Sequence, residues 1–258
     1  ERTVIVTGAG RGIGKSIALR LARDGFNVCV NDIPANEGAV NDVGQLPDLQ
    51  LSTFGFRLTI ANHRDACTDM VEASAKELGP LDVMIANAGI AQVKPLLDLT
   101  QQDLERMFQV NVFGVYNCYT AAAKKMIEQG SGGKILGAAS IVSFKPFALL
   151  SHYSASKFAV RGLTQAFAME MAPYDITVNA YAPGIVGTAM WELIDEKLAE
   201  IHGTPKGSMI KKYTEDLIAM KRTSVPEDVS KVVSFLAGPD SEYVTGQTVV
   251  VDGGIVMT

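Results

Sequence analysis

The sequence predicts an α/β fold: one domain built on a doubly wound parallel sheet of about seven strands, with helices on both faces of the sheet. Three observations predict it. Short apolar or β-branched runs alternate with segments of helical spacing through all 258 residues. These runs are apolar at consecutive positions, as strands covered on both sides must be. No repeat, low-complexity stretch or long linker interrupts the alternation, so residues 1–258 read as one domain; 47% hydrophobic and 20% charged residues suffice for a large core without staples.

Thr3-Val4-Ile5-Val6-Thr7 is the first strand, ended by glycines, and the spacing of Ile13, Ile17, Ala18 and Leu21 predicts a helix from Gly12 to Arg23. Further strands are expected at Asn27 to Asn31, Leu51 to Phe56 and Leu81 to Ile85, with helices between them. A long helix follows from about Thr100 to Glu128, then a strand at Lys134 to Ala138 and a helix from about Ser151 to Ala172. The last strands are Ile176 to Ala180 and Thr248 to Val251. Between those two, residues 188–224 alternate amphipathic pieces with breakers at Gly203, Pro205 and Gly207. Because this stretch leaves the C-terminal end of a strand, it reads as a substrate lid.

A net charge of -5 and a pI near 5.3 offer no basic field to a polyanion, which argues against a nucleic-acid partner. The pairs Lys124-Lys125 and Lys211-Lys212 read as solvated helix faces. Three scattered cysteines, Cys29, Cys67 and Cys118, suit neither a disulfide framework nor a metal cluster, so no metal is expected and a reducing compartment is. No segment approaches the roughly 18 consecutive apolar residues of a membrane span. The chain opens into a strand in place of a signal peptide, with a few leading residues expected before Glu1, and the expected location is the cytoplasm.

Thr7-Gly8-Ala9-Gly10-Arg11-Gly12-Ile13-Gly14 lies where the first strand feeds the first helix, the context a dinucleotide-binding turn requires. Missing side chains let backbone N–H groups approach a pyrophosphate, and the helix N-terminus adds partial positive charge. Taken alone, the glycines would also suit a tight turn without a ligand. With the turn, the sheet becomes a Rossmann-type one. Asp32, at the end of the second strand, is placed to accept hydrogen bonds from an adenosine ribose and to repel a 2′-phosphate, so NAD is preferred over NADP; Arg11 and Lys15 would soften that discrimination.

Tyr153 and Lys157 stand at i and i+4, and four helical residues turn the chain about 400°, so the two groups share a face. A phenol needs nearby positive charge to act as an acid or base near neutrality, and Lys157 can supply it. Ser140, thirteen residues earlier and just past an apolar strand, lies at the carboxyl edge of the sheet, where its hydroxyl could hold a substrate oxygen. Each feature alone would serve equally as a turn residue or a surface pair.

Together these motifs resemble the short-chain dehydrogenase/reductase family. The resemblance rests on the turn from Thr7 to Gly14, on Asn87-Ala88-Gly89, Asn111, Ser140, Tyr153, Lys157 and Pro183-Gly184, and on Thr245-Gly246-Gln247 with Val251-Asp252-Gly253-Gly254. It implies a tetrad of Asn111, Ser140, Tyr153 and Lys157. Ser140 would hold the carbonyl, Tyr153 act as acid or base, Lys157 lower the tyrosine pKa and bind the nicotinamide ribose, and Asn111 hold a water on the proton path. It also implies cofactor contacts from Gly8, Arg11, Gly12, Ile13, Gly14 and Asp32, from Asn87 and Gly89 toward the adenosine, and from Pro183, Gly184, Ile185, Val186 and Thr188 toward the carboxamide, with hydride delivered from the pro-S face. Two departures stand out. Ala86 replaces an asparagine common in the family, and Leu58 to Asn62 lacks the aspartate that reaches the adenine in many members, Ile60 or its neighbour standing there.

A narrower resemblance, carried by Asn87 to Leu97, Ala182 to Glu192 and the lid to Val229, is to the acetoin and diacetyl reductases, the butanediol dehydrogenases. It implies small diketones, hydroxyketones and diols as substrates. The residues able to line a substrate pocket are Gln92, Ile141, Val142, Phe147 and Trp191, mostly apolar, which suits a small ketone better than a sugar. Another ketone, a sugar or a polyol is the rival substrate, and a non-catalytic cofactor sensor the rival class. His152 reads as a helix-start residue facing solvent or substrate. The helix after Ser151 is apolar almost all round, with Phe158, Val160, Leu163, Phe167, Met169 and Met171, which predicts a partner subunit; the family resemblance implies a homotetramer.

Overall fold

The computed structural model describes residues 2–36, 38–40, 56–57 and 64–258. Six strands of four to eight residues are β1 Arg2–Thr7, β2 Phe26–Asp32, β4 Leu81–Ala86, β5 Gly133–Ala138, β6 Ile176–Pro183 and β7 Thr248–Val251; a two-residue edge strand, β3 Phe56–Arg57, makes the seventh. All neighbours pair in parallel, in the order β3-β2-β1-β4-β5-β6-β7. The chain runs outward from β1 to β3 and returns to β4 on the other side of β1. The crevice at this reversal is where sheets of this kind bind ligands.

Period-two alternation divides the sheet's side chains between two cores. Ile5, Met84, Ile135 and Val178 face one side and pack under α2 Arg64–Leu78, α4 Gly114–Gln129 and α5 Ser151–Met171. Val4, Val6, Val28, Val30 and Leu136 face the other side, against Ile17 and Leu21 of α1 Gly12–Arg23 and Val229 and Val233 of α8 Pro226–Ala237. A third, smaller cluster lies under the helices between β6 and α8, α6 Ala189–His202 and α7 Ser208–Asp216; it joins Ile194, Leu198, Ala199 and Met209 to Val93 and Leu150.

Of the expected third strand, Phe56 is described, within β3, while Leu51 to Gly55 lie outside the described residues, as do Leu58 to Asn62. Two other expected elements differ. Strand β6 runs three residues past Ala180, because Tyr181, Ala182 and Pro183 find partners in Val249, Val250 and Val251 of β7. The long helix from Thr100 is two helices, α3 Gln101–Phe108 and α4, joined by a π turn over Gln109–Phe113. The cause is Asn111 within that turn. Its Nδ2 donates to the Ile90 carbonyl at 2.9 Å and its Oδ1 accepts from the Ile90 N–H at 2.9 Å, a two-point clamp onto the loop after β4 that a regular helix would aim elsewhere.

Candidate active site

Gly8 and Gly12 take φ values of +66° and +56°, a region open to glycine at little cost. Gly14 serves close approach: a Cβ there would overlap the carbonyl oxygen of Gly8 and the side-chain amide of Asn87. Arg11, the N-cap of α1, makes no side-chain capping bond, and the first turn carries no acidic residue. The helix start therefore presents its N–H groups and partial positive charge without a built-in anion, as a bound pyrophosphate requires. The Asp32 carboxylate accepts from the N–H groups of Gly10 at 2.8 Å and Ile33 at 2.7 Å and from Asn36 Nδ2 at 2.8 Å, which fixes a negative charge beside the turn. Donors, glycines and carboxylate fit a dinucleotide.

Asn87 holds the turn itself. Its Nδ2 donates to the carbonyls of Thr7 and Gly8 at 2.9 and 3.2 Å, and its Oδ1 accepts from the Tyr181 hydroxyl at 2.8 Å. The backbone N–H groups of Asn87 and Ala88 donate to Thr7 Oγ1. The β1 turn and the β4 loop are thus one hydrogen-bonded unit.

Across the crevice, Tyr153 on the first turn of α5 lines the same cavity as Ser140, two residues past the end of β5, whose hydroxyl donates to the Pro183 carbonyl at 3.5 Å and accepts from the Val142 N–H at 3.4 Å. Burial raises the phenol above its ordinary pKa, and the Ser140 hydroxyl partly offsets this. Lys157 Nζ donates to the Ala138 carbonyl at 2.7 Å and lies 5.8 Å from the centre of the Tyr153 ring. Burial brings its ammonium down to about 8. The expected lowering of the tyrosine pKa by Lys157 does not prevail in this state: desolvation dominates, and the ammonium faces a backbone carbonyl. Gly89 keeps a gap between Lys157 and Asn111, since a Cβ there would stand 3.3 Å from Asn111 Oδ1 and 3.5 Å from Lys157 Nζ.

A cavity of about 1200 Å³ joins the two sides. Its wall includes Gly8, Arg11, Gly12, Ile13, Gly14, Asp32, Asn87, Gly89, Ser140, Tyr153, Lys157, Pro183, Gly184, Val186 and Thr188, and also Gln92, Ile141, Val142, Phe147 and Trp191. Asn111 lies behind the wall, fully buried, with its amide engaged by Ile90 and by Ser156 Oγ at 3.1 Å, so its side chain is a clamp. His152 does not face solvent: it is 2% exposed and turned toward Gln92, because the loop after β4 covers the first turn of α5. The sequence reading passed over Leu150, Tyr181, Met190 and Tyr213, which also line the cavity. The apolar lid spacing held a signal for Met190; the buried hydroxyl of Tyr181 had none.

Among the described residues no group of side chains is arranged to hold a metal ion, and no helix is long and apolar enough to cross a membrane. Residues 2–199 match the short chain dehydrogenase family. The chain is 48% identical to an L-2,3-butanediol dehydrogenase of Corynebacterium glutamicum, over 99% of each. It is 42% identical to a diacetyl reductase [(S)-acetoin forming] of Staphylococcus aureus, covering 99% of this chain and 98% of that one. A crystal structure of a short-chain type dehydrogenase/reductase from Mycobacterium marinum superposes with a TM-score of 0.88 at 32% identity, over 100% of this chain and 96% of its counterpart. A nucleotide-shaped turn, a phenol and a serine lining one cavity, and full-length likeness to enzymes of one chemistry converge: the chain belongs to the short-chain dehydrogenases, oxidoreductases that interconvert CH–OH and C=O groups of small molecules with a nicotinamide cofactor.

Proposed function

We propose that the protein reduces small vicinal diketones and α-hydroxyketones to secondary alcohols, and oxidises the corresponding diols, with NAD(H). The observation that carries this reading is that the Tyr153 phenol and Ser140 line one cavity with Ile141, Val142, Phe147 and Trp191. Such a wall suits a short carbon skeleton with few hydroxyls. The full-length relatives named for butanediol and diacetyl support the same class.

When bound, the nicotinamide supplies or takes the hydride. In the reduction, Ser140 holds the carbonyl oxygen and Tyr153 donates its proton to it, which makes the tyrosine the general acid. A phenol held above its ordinary pKa keeps that proton until the oxygen becomes basic. Lys157, charged below about pH 8, stands behind the tyrosine and is the residue that would hold the nicotinamide ribose. Asn111 keeps the loop at Ile90 in place, so a water on the proton path would be held by its backbone carbonyl, its side chain being engaged. Gly8, Arg11, Gly12, Ile13 and Gly14 would take the pyrophosphate; Asp32 would take the adenosine ribose, which favours NAD over NADP.

Residues 188–224 act as the lid over this site. The assembly is a homotetramer, supported by Phe158 and Met169 of α5 and Tyr116 of α4, which stand 42%, 75% and 37% exposed; light scattering on the purified protein tests it. That Cys29, Cys67 and Cys118 are buried thiols, none of them in a disulfide, supports the cytoplasm. The decisive experiment is NADH and NADPH consumption measured side by side with diacetyl, acetoin, simple ketones and sugars. Oxidation of NADH by diacetyl and acetoin in preference to the others is expected; preferential turnover of a sugar overturns the reading.

A further inference from the structure

The loop after β4 and the first turn of α5 meet through polar side chains that the proton transfer itself does not use. Lys94 Nζ lies 2.7 Å from Asp103 Oδ2, Gln92 Nε2 donates to Asp103 Oδ1 at 2.8 Å, and Gln92 Oε1 lies 2.9 Å from His152 Nε2. Asp103 is fixed in turn at the start of α3, where it forms a reciprocal cap with Thr100. A carboxylate only accepts, so the Gln92 atom facing Asp103 is the amide nitrogen. The amide oxygen then faces His152, and the histidine nitrogen opposite it carries the hydrogen.

Both ends of this chain stay in one protonation state near neutrality. The Lys94 ammonium, with the donors of Thr100 and Gln92, holds the Asp103 carboxyl well below the usual carboxylate range. Burial lowers the His152 pKa, and in the neutral ring Nδ1 is a lone pair with no partner among the described residues. Only one orientation of the Gln92 amide satisfies its two neighbours.

Gln92 lines the same cavity as Ser140 and Tyr153. One of its N–H groups serves Asp103 and one oxygen lone pair serves His152, which leaves one N–H and one lone pair. We propose that Gln92 is a specificity-determining residue that receives the second oxygen of an α-oxygenated substrate, with His152 and Asp103 as positioning residues that set its amide. The spare N–H can donate to a keto oxygen, and the spare N–H or lone pair can meet a hydroxyl. An amide therefore accommodates diketone, hydroxyketone and diol alike, where a carboxylate could not donate and an ammonium could not accept. The inference rests on the substrate class given under Proposed function.

The test uses acetoin and butan-2-one, which differ by that second oxygen, with NADH and the full-length wild type, Gln92→Leu, His152→Phe and His152→Gln. The wild type is expected to favour acetoin. In Gln92→Leu the ratio of kcat/KM for acetoin over butan-2-one should fall at least about tenfold, the worth of one well-placed hydrogen bond. His152→Phe should lower the same ratio by less, and His152→Gln, which still offers an N–H, should recover part of the loss. If Gln92→Leu does not fold, the two His152 variants decide alone. An unchanged ratio, or equal loss on both ketones, overturns the role of Gln92 and leaves the substrate class standing. A wild type with no preference for acetoin overturns both.

Discussion

On the cofactor side of the cavity the wall is main chain: the carbonyls of Thr7 and Gly8 are held by the Asn87 amide, Gly14 is pressed against Gly8, and Asp32 is gripped by two backbone N–H groups and Asn36. On the side proposed for the substrate it is side chain, a small separate cluster in which Ile194, Leu198 and Met209 of α6 and α7 pack on Val93 and Leu150 with the Tyr153 and Trp191 rings against them. Main chain cannot be exchanged residue by residue, whereas packed side chains can. The difference teaches where such an enzyme is free to change its substrate and where it is not.

The contrast breaks most visibly at Gly14. Gly14→Ala should cost about 3 kcal/mol or more, since backbone has to move to admit the methyl group, and should abolish cofactor binding. A variant with wild-type melting temperature and NADH affinity would erase the distinction between the two walls. Tyr153→Phe sharpens it from the other side: turnover should fall at least about 10²-fold while NADH still binds, as judged by fluorescence titration, because losing the general acid leaves the turn intact. Near wild-type turnover would reject the assigned role. Asp32→Ala should narrow the preference for NADH over NADPH about tenfold, the worth of a hydrogen bond to a charged group, and an unaltered ratio of kcat/KM values would count against the ribose contact.

The smallest effect belongs to α6 and α7, the proposed lid. Asp195, 3% exposed, accepts from the N–H groups of Gly207 and Ile210 and so ties α6 to the start of α7. Asp195→Asn loses the charge and one acceptor, and KM for the ketone should rise about fivefold with the dissociation constant of NADH unmoved. Equal weakening of both would mean that lid and turn are one mechanical unit.

The main-chain wall was legible in the sequence because its causes are local. Glycines at fixed spacing, a β-branched run and a helical period placed α1 from Gly12 to Arg23 and β7 from Thr248 to Val251 at the bounds the structure gives. The side-chain wall was legible in composition but not in arrangement. Gln92 meets His152 sixty residues away, and Asn111 meets Ile90 twenty-one residues away, so no local pattern announces either pair.

The π turn at Gln109–Phe113 absorbs one residue more than an α turn does. Deleting one residue from it would restore a uniform helix and leave Cys118, Tyr119, Ala122 and Met126 close to their present places on the sheet. What such a deletion would lose is the aim of Asn111 at Ile90. The odd residue therefore serves a single asparagine, while the sixteen-residue helix after it keeps its seat either way.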